Sequence, residues 1–326
     1  MVLRFMWGLG MMLNKTFKTT HLKRQTKKIF SMNNTITIDQ NKPDFKRLLA
    51  AQRISYSRAK KMQIIDLIQN CISIISPFFV LFFLNEVTKN YFVVFSVFIF
   101  LLFVFIEKLH KLRTNEGANI QEQFDTKLFG LEWNKYQAGN TVNIDKIISL
   151  SKNYKEDDLK DWYSVQIKTE IIKNLAILLC QKTNLSYDTK LRNDFKNYFL
   201  IFSAIYYFIL FLVLIFLKET VFNAFIIVSP SLAFGMYGFN VYLNQNEIIK
   251  SKEELTQKIK ELLEDYKTNK KVPQIGELRK IQDKIFELRT KPNKIPDWFY
   301  NKHREHLEYV TDEMIKVLIS DYKLLN

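Results

Sequence analysis

This sequence is poor in the residues that build chemistry. It has 2 cysteines, 4 histidines and 8 glycines among 326 residues. Cys71 falls in an apolar block and Cys180 on a charged, amphipathic segment. No C-x-x-C or Cys/His zinc spacing exists, and no disulfide between the two is expected. Both are read as buried free thiols of a reducing compartment. So few glycines leave little room for a nucleotide cradle, and neither a nucleophile elbow nor an HExxH helix is present. His303 and His306 flank Glu305 as an i,i+3 pair without a third ligand, which suits a solvated helix face better than a metal site. Asp157, Asp158 and Asp161 read as a solvated charge run at a turn. No catalytic constellation assembles, so neither an enzyme nor a cofactor or metal is expected. No block of strand period is found.

What is present is segregated. Mean hydropathy is −0.11, yet four Phe/Leu/Ile-rich blocks, 67–84, 91–106, 198–217 and 221–243, stand between charged stretches. None holds Lys, Arg, Asp or Glu. A helix that crosses a bilayer needs about 20 mainly apolar residues. The third and fourth blocks meet that length, the first does if it begins near Ile64, and the second extends by snorkelling into 107–109. The fold class expected is therefore an all-α integral membrane protein, with four transmembrane helices as two hairpins. The connections at 85–90 and 218–220 are too short to hold a domain, so both lie on one side of the membrane.

The larger regions then share the other side: an amphipathic segment 32–66, a helical domain 107–197 and a helical C-terminal region 244–326. There are 48 Lys+Arg against 33 Asp+Glu, so 48 − 33 gives a net charge of +15. The basic residues flank the spans, and the positive-inside rule puts these regions and both termini in the cytoplasm. That placement explains the charge without DNA or RNA as a partner. Residues 1–31 are weakly apolar and then basic, the reverse of a secretory signal. They read as a start-site extension or a disordered basic arm ahead of Met32.

Outside the spans, residues 42–62 read as an amphipathic basic helix of the kind that anchors at lipid headgroups. Residues 165–182 read as a helix with Ile167, Ile171, Ile172, Leu175, Leu178 and Leu179 on one broad face. Ile248, Leu255, Ile259, Leu262 and Tyr266 suit a short coiled-coil seam or a packed bundle helix. Pro273 opens a further helix. Asp297 caps the last, with Leu307, Val310, Met314, Val317 and Leu318 on its apolar side.

The uncharged spans argue against ion-coupled transport. In the fourth, Asn223, Ser231, Gly235, Gly238 and Tyr242 lie near one side, with Ser231 and Gly235 a small-xxx-small pair. Close helix packing is the plainer reading and a weakly polar pore surface the sharper one. Asn70, Ser73 and Pro77 make a similar stripe in the first span, ending at Asp66. Pro77 and Pro230 are candidate kinks. Four helices cannot surround a wide water path, so any pore requires a homo-oligomer.

Several segments resemble one family. Gln40–Asn41 lead into LLAAQRISYSRAKKMQ (48–63) before the first span. IQEQFDTKLFGLEWNK (120–135) and CQKTNLSYDTKLR (180–192) precede the second hairpin, and IPDWFY (295–300) follows it. In this order, around two hairpins, they are similar to the SMODS-associated four-transmembrane effectors of bacterial antiphage systems. Residues 1–31 fall outside the match. The resemblance implies an effector of the bacterial inner membrane, acting downstream of a cyclic-oligonucleotide synthase, a nucleotidyltransferase. Its output would be pore formation or membrane disruption that ends in abortive infection, with a cyclic oligonucleotide as the activating ligand. Arg53, Arg58, Lys60, Lys61, Lys182 and Arg192 cluster in the matched segments and suit either phosphates of that ligand or headgroups of the lipid bilayer. A non-conducting scaffold that recruits a cytosolic partner is the alternative.

Overall fold

A computed structural model describes residues 34–152, 159–291 and 295–325. The expectation for residues 1–31 lies outside the described residues, as do Asp157 and Asp158. Among the described residues all regular structure is helical. In chain order the α-helices are α1 (Ile36–Asp39), α2 (Pro43–Phe83), α3 (Glu86–Phe129), α4 (Lys135–Ala138), α5 (Ile144–Ser151), α6 (Lys173–Ser186), α7 (Thr189–Phe216), α8 (Val221–Val228), α9 (Leu232–Asn269), α10 (Ile275–Thr290) and α11 (Asp297–Asp321).

Among the described residues four helical stretches are long and apolar enough to cross a membrane: α2, α3, the stretch ending in α7, and the stretch from α8 into α9. The two hairpin turns are capped locally. Asn85 accepts the Thr88 N–H at 2.9 Å, and Thr220 Oγ1 accepts the Asn223 N–H at 3.3 Å, each satisfying a donor that the helix start leaves open. The two candidate kinks behave differently. Pro230 divides the fourth span with a short 3-10 turn, Ser229–Ser231, whereas α2 runs through Pro77 unbroken. Val80, Tyr206, Leu210, Ile227 and Phe234 form the small core where the hairpins meet.

All four stretches run on past the apolar segment into one extramembrane core. There α1, the first half of α2, the second half of α3, α5, α6, α10, α11 and the end of α9 pack together. Three expectations change here. Residues 48–51 of α2 are buried one after another, at 4%, 1%, 1% and 0% exposure. A helix lying on headgroups buries one face only, so this segment is inserted in the core and is not a surface anchor.

The helix expected from 165 starts only at Lys173. Ile167 and Ile171 are fully buried on a turn segment, because side-chain amides near the start of the described chain satisfy its backbone. Asn34 Nδ2 donates to the Lys168 and Ile171 carbonyls at 2.7 and 3.0 Å. Gln40 accepts the Tyr163 N–H at 2.7 Å and returns a donor to its carbonyl at 3.1 Å. A turn whose polar groups are paired can occupy a core as a helix does.

In α11 the buried side is Leu307, Thr311, Ile315 and Ile319, while Val310 and Val317 are exposed. Leu307 is thus buried as expected, and Met314 and Leu318 pack partly buried against the core, while Val310 and Val317 give way to Thr311, Ile315 and Ile319. The helix itself begins at Asp297, with Pro296 at the cap position. Ile248, Ile259, Leu262 and Tyr266 are buried along α9, as in a bundle helix. Of the two thiols, Cys180 is buried and Cys71 lies exposed on the outer surface of α2.

Candidate functional site

The least expected feature is a polar seam between α2 and α3 that runs from the extramembrane core into the membrane half. Gln52, Ser55, Asp66, Gln69, Asn70 and Ser73 recur on α2 and are each at most 8% exposed. Ser96, His110, Thr114 and Gln121 are equally buried on α3. Spacings near three and four residues keep such side chains on one helical face. Ser55 donates to Glu116 at 3.0 Å, Tyr56 to Gln121 at 3.2 Å, and Gln69 Nε2 to the Ile99 carbonyl at 3.0 Å. Asp66 and His110 face each other at 3.9 Å. Ser96 and Ser229 hydroxyls, 3.4 Å apart, bring the second hairpin to the seam.

This seam is under-satisfied. Gln52 Oε1, Gln69 Oε1, Ser73 Oγ and Thr114 Oγ1 are buried with no hydrogen-bond partner. Pro77 adds to the deficit, since it has no N–H to give the Ser73 carbonyl. Each such group costs about 1–3 kcal/mol relative to a paired one. The outer surface of the spans is the opposite in character: Ile68, Phe82, Val94, Phe98, Phe208 and Phe211 are all exposed apolar side chains.

The small-residue stripe of the fourth span faces inward. Ser231 is fully buried, and its carbonyl accepts the Tyr207 hydroxyl at 2.7 Å. A Cβ on Gly235 would sit 2.6 Å from that hydroxyl, and one on Gly238 3.0 Å from the Phe199 ring. Here the missing side chains let α9 approach α7 of the same chain. Asn223 stands apart near the turn, donating to Glu219 at 3.2 Å. Asn70 bonds back to the Asp66 carbonyl at 2.8 Å.

The extramembrane half of α3 carries a second buried polar system that joins it to α10. Arg279 reaches Glu122 at 2.6 Å, and Arg289 reaches Asp125 at 2.6 Å. Gln282 donates to Glu122 at 2.8 Å and to Asp125 at 3.1 Å. Tyr163 donates to Asp125 at 2.7 Å and accepts from Asn184 at 2.9 Å. Burial pushes the Glu122 carboxyl up despite the Arg289 guanidinium nearby. It pushes the Tyr163 phenol well up too, with the Asp125 charge adding to it. Sequence reasoning missed this system. Glu122 and Asp125 stand in a mixed stretch, 120–129, beside Gln121, Gln123, Thr126 and Lys127, which carries no sign of burial.

The basic candidates divide by environment. Arg53, Arg58 and Lys61 are exposed on α2 ahead of the first span. Lys60 is half-buried, with its ammonium 6.0 Å from the Tyr300 ring centre. Arg192 is turned inward: it pairs with Asp188 at 2.7 Å and donates to Gln245 at 2.9 Å. Lys252 pairs with the other oxygen of Asp188. Burial alone would raise that carboxyl, but Arg192 and Lys252 outweigh it and hold it well below the usual range. Lys182 is half-buried beside Ser186. His303 Nδ1 lies 2.9 Å from the Phe299 carbonyl, and no cluster of three or more metal-type ligands occurs among the described residues.

Known proteins are similar to this chain in sequence. The family model of the SMODS-associating 4TM effector domain matches residues 34–318. A protein of Bacillus cereus (strain VD146), named a probable CBASS effector molecule, is 30% identical over 274 residues, which is 80% of this chain and 90% of that one. No solved structure matches.

Proposed function

This chain belongs to the SMODS-associating 4TM effector family, and on that footing we propose that it opens a water path across the membrane as a homo-oligomer. It is a membrane effector of antiphage defence. In the proposed reading it sits in the bacterial inner membrane with both termini in the cytoplasm. A cyclic oligonucleotide made by an associated nucleotidyltransferase triggers it, and the outcome is abortive infection. No catalytic step enters this reading.

The observation that carries it is the contrast between the two surfaces of the membrane unit. The outside offers Phe, Ile and Val, which suit lipid tails and would line a pore poorly. The inside holds Gln69, Asn70, Ser73 and Ser96, and the orphaned oxygens of Gln69 and Ser73 are ones that water would satisfy. Parting α2 from α3 in an oligomer turns this seam to water and relieves its unpaired groups. The buried state is then the resting one, and a ligand that favours the parted state shifts the balance.

The test is inducible expression in bacteria with a membrane-potential dye, with and without the cognate synthase. Wild type should depolarise the cells only when the synthase is active. A Gln69→Leu/Ser73→Val variant should insert normally and leave the potential intact. Absence of any wild-type dye response, together with absence of leakage from liposomes given cyclic oligonucleotides, would replace this reading with the non-conducting scaffold.

A further inference from the structure

One stretch singled out in the sequence, CQKTNLSYDTKLR (180–192), is not used by the seam. It surrounds a cleft of about 510 Å³ between the α6–α7 junction and α9, a size within the usual range for small-ligand sites. Two cations, Lys182 and Lys190, line it, with the hydroxyls of Ser186, Thr189 and Thr256 and the amide of Asn193. Glu253 is the one carboxylate on its wall, and it is exposed. Immediately behind lie Arg192, Lys252 and Asp188. Lys182, Lys190, Arg192 and Lys252 against Glu253 and Asp188 give 4 − 2, a local charge of +2.

Lys182 is the informative residue. Its ammonium donates to Ser186 Oγ at 2.7 Å, and among the described residues no carboxylate pairs with it. Burial pushes its pKa down, so the charged form lacks compensation until an anion arrives. Cation, hydroxyl and amide donors converging on one cleft are the donor set that phosphate oxygens accept from.

We propose that this cleft binds a soluble phosphate-bearing ligand, held by Lys182 and Lys190 and bridging α6, α7 and α9. The same chemistry describes an anionic lipid headgroup, and position decides between them. The headgroup layer is about 5–8 Å deep on each side of the hydrocarbon. Lys190 stands eight residues beyond Tyr198 on α7, about 12 Å along the axis, and Thr256 stands thirteen beyond Leu243 on α9, about 20 Å. The cationic end of the cleft therefore lies past the reach of lipid. A ligand there fixes α7 against α9, the two helices whose lower halves form the second hairpin. This site rests on the reading above for its cyclic-oligonucleotide probe but not for its chemistry.

The experiment uses the full chain in phosphatidylcholine nanodiscs and measures binding of pyrophosphate and of a panel of cyclic di- and trinucleotides by calorimetry. A parallel arm supplies phosphatidylglycerol in the discs and no nucleotide. Saturable binding of a soluble probe is expected. Lys182→Met or Lys190→Met should weaken it by about tenfold or more, the worth of one charge-assisted hydrogen bond. Glu253→Gln should tighten it, and melting temperature without ligand should hold in all three. Binding that survives both lysine variants, response to anionic lipid alone, or no saturable binding of any probe overturns the proposal. Wild type that binds without leakage would sink the pore reading and leave the cleft standing. Leakage triggered by nucleotide with normal binding in both lysine variants would do the reverse.

Discussion

Asp125 Oδ2 on α3 and Arg289 Nη1 on α10 stand 2.6 Å apart, with side-chain exposures of 0% and 10%. Taking charge so far from water is expensive, and the pair is tolerable only because each member compensates the other. Arg289→Met leaves Asp125 buried beside Glu122 and should destabilise the protein by about 3–5 kcal/mol. The double variant Asp125→Leu/Arg289→Met should recover much of that loss. Thermal unfolding in detergent measures both, and equal melting points for the single variant and wild type would refute the assignment.

Gly235→Ala places a Cβ against the Tyr207 hydroxyl and should cost about 1–3 kcal/mol through overpacking. In a Tyr207→Phe background the same change should cost far less, because the clashing atom is gone. This coupling, read as a double-mutant cycle on detergent melting curves, separates a packing role for the stripe from a role in conduction.

The Cys180 thiol is fully buried, and burial together with the Asp125 charge pushes its pKa well up. The thiolate is the reactive form. In a Cys71→Ser background a membrane-permeant maleimide should leave the native protein unlabelled and label it fully after denaturation. Rapid native labelling would show that the core opens around α6.

Acid should act through two groups of opposite sign. Asp188 has a depressed folded pKa, so its stabilising contribution is complete above an unfolded pKa of about 3.9 and is lost as pH falls below that. Glu122 has a raised folded pKa, so acidification through the range just above about 4 adds stability. Stability should therefore hold or rise slightly on approach to pH 4 and fall below it. Asp188→Asn should flatten the lower limb, and Glu122→Gln should remove the earlier gain. Melting temperature against pH separates the two.

The membrane half was legible because hydrocarbon imposes a single solution. Uncharged blocks of spanning length become helices, and short connections make hairpins. The inward side of those helices was only half legible: Asn70, Ser73 and Asp66 marked the stripe on α2, but His110 and Thr114, on the α3 side of the seam, lie beyond the second apolar block. Asp125 and Arg289 were invisible for a related reason. Each looks like an ordinary solvated charge until the fold brings them together. Residues 165–172 show the limit of periodicity, since Ile167 and Ile171 are buried on a turn that Asn34 and Gln40 hold from more than a hundred residues away. Lys182 and Arg192, ten positions apart, looked alike in sequence and differ in role because Asp188 and Gln245 claim only the second.

The length of α3 has a mechanical consequence. Its 44 residues form one unbroken helix, about 66 Å from end to end. Glu122 and Asp125 grip one end while the other lies in lipid, so the helix works as a lever with its load at the far tip. Rocking it by about 5° about that grip sweeps the Glu86 end through about 5 Å, roughly half of the 8–10 Å that separates packed helix axes. A displacement too small to disturb the core around Phe124 is thus multiplied along the rod into one that parts neighbours in the bilayer.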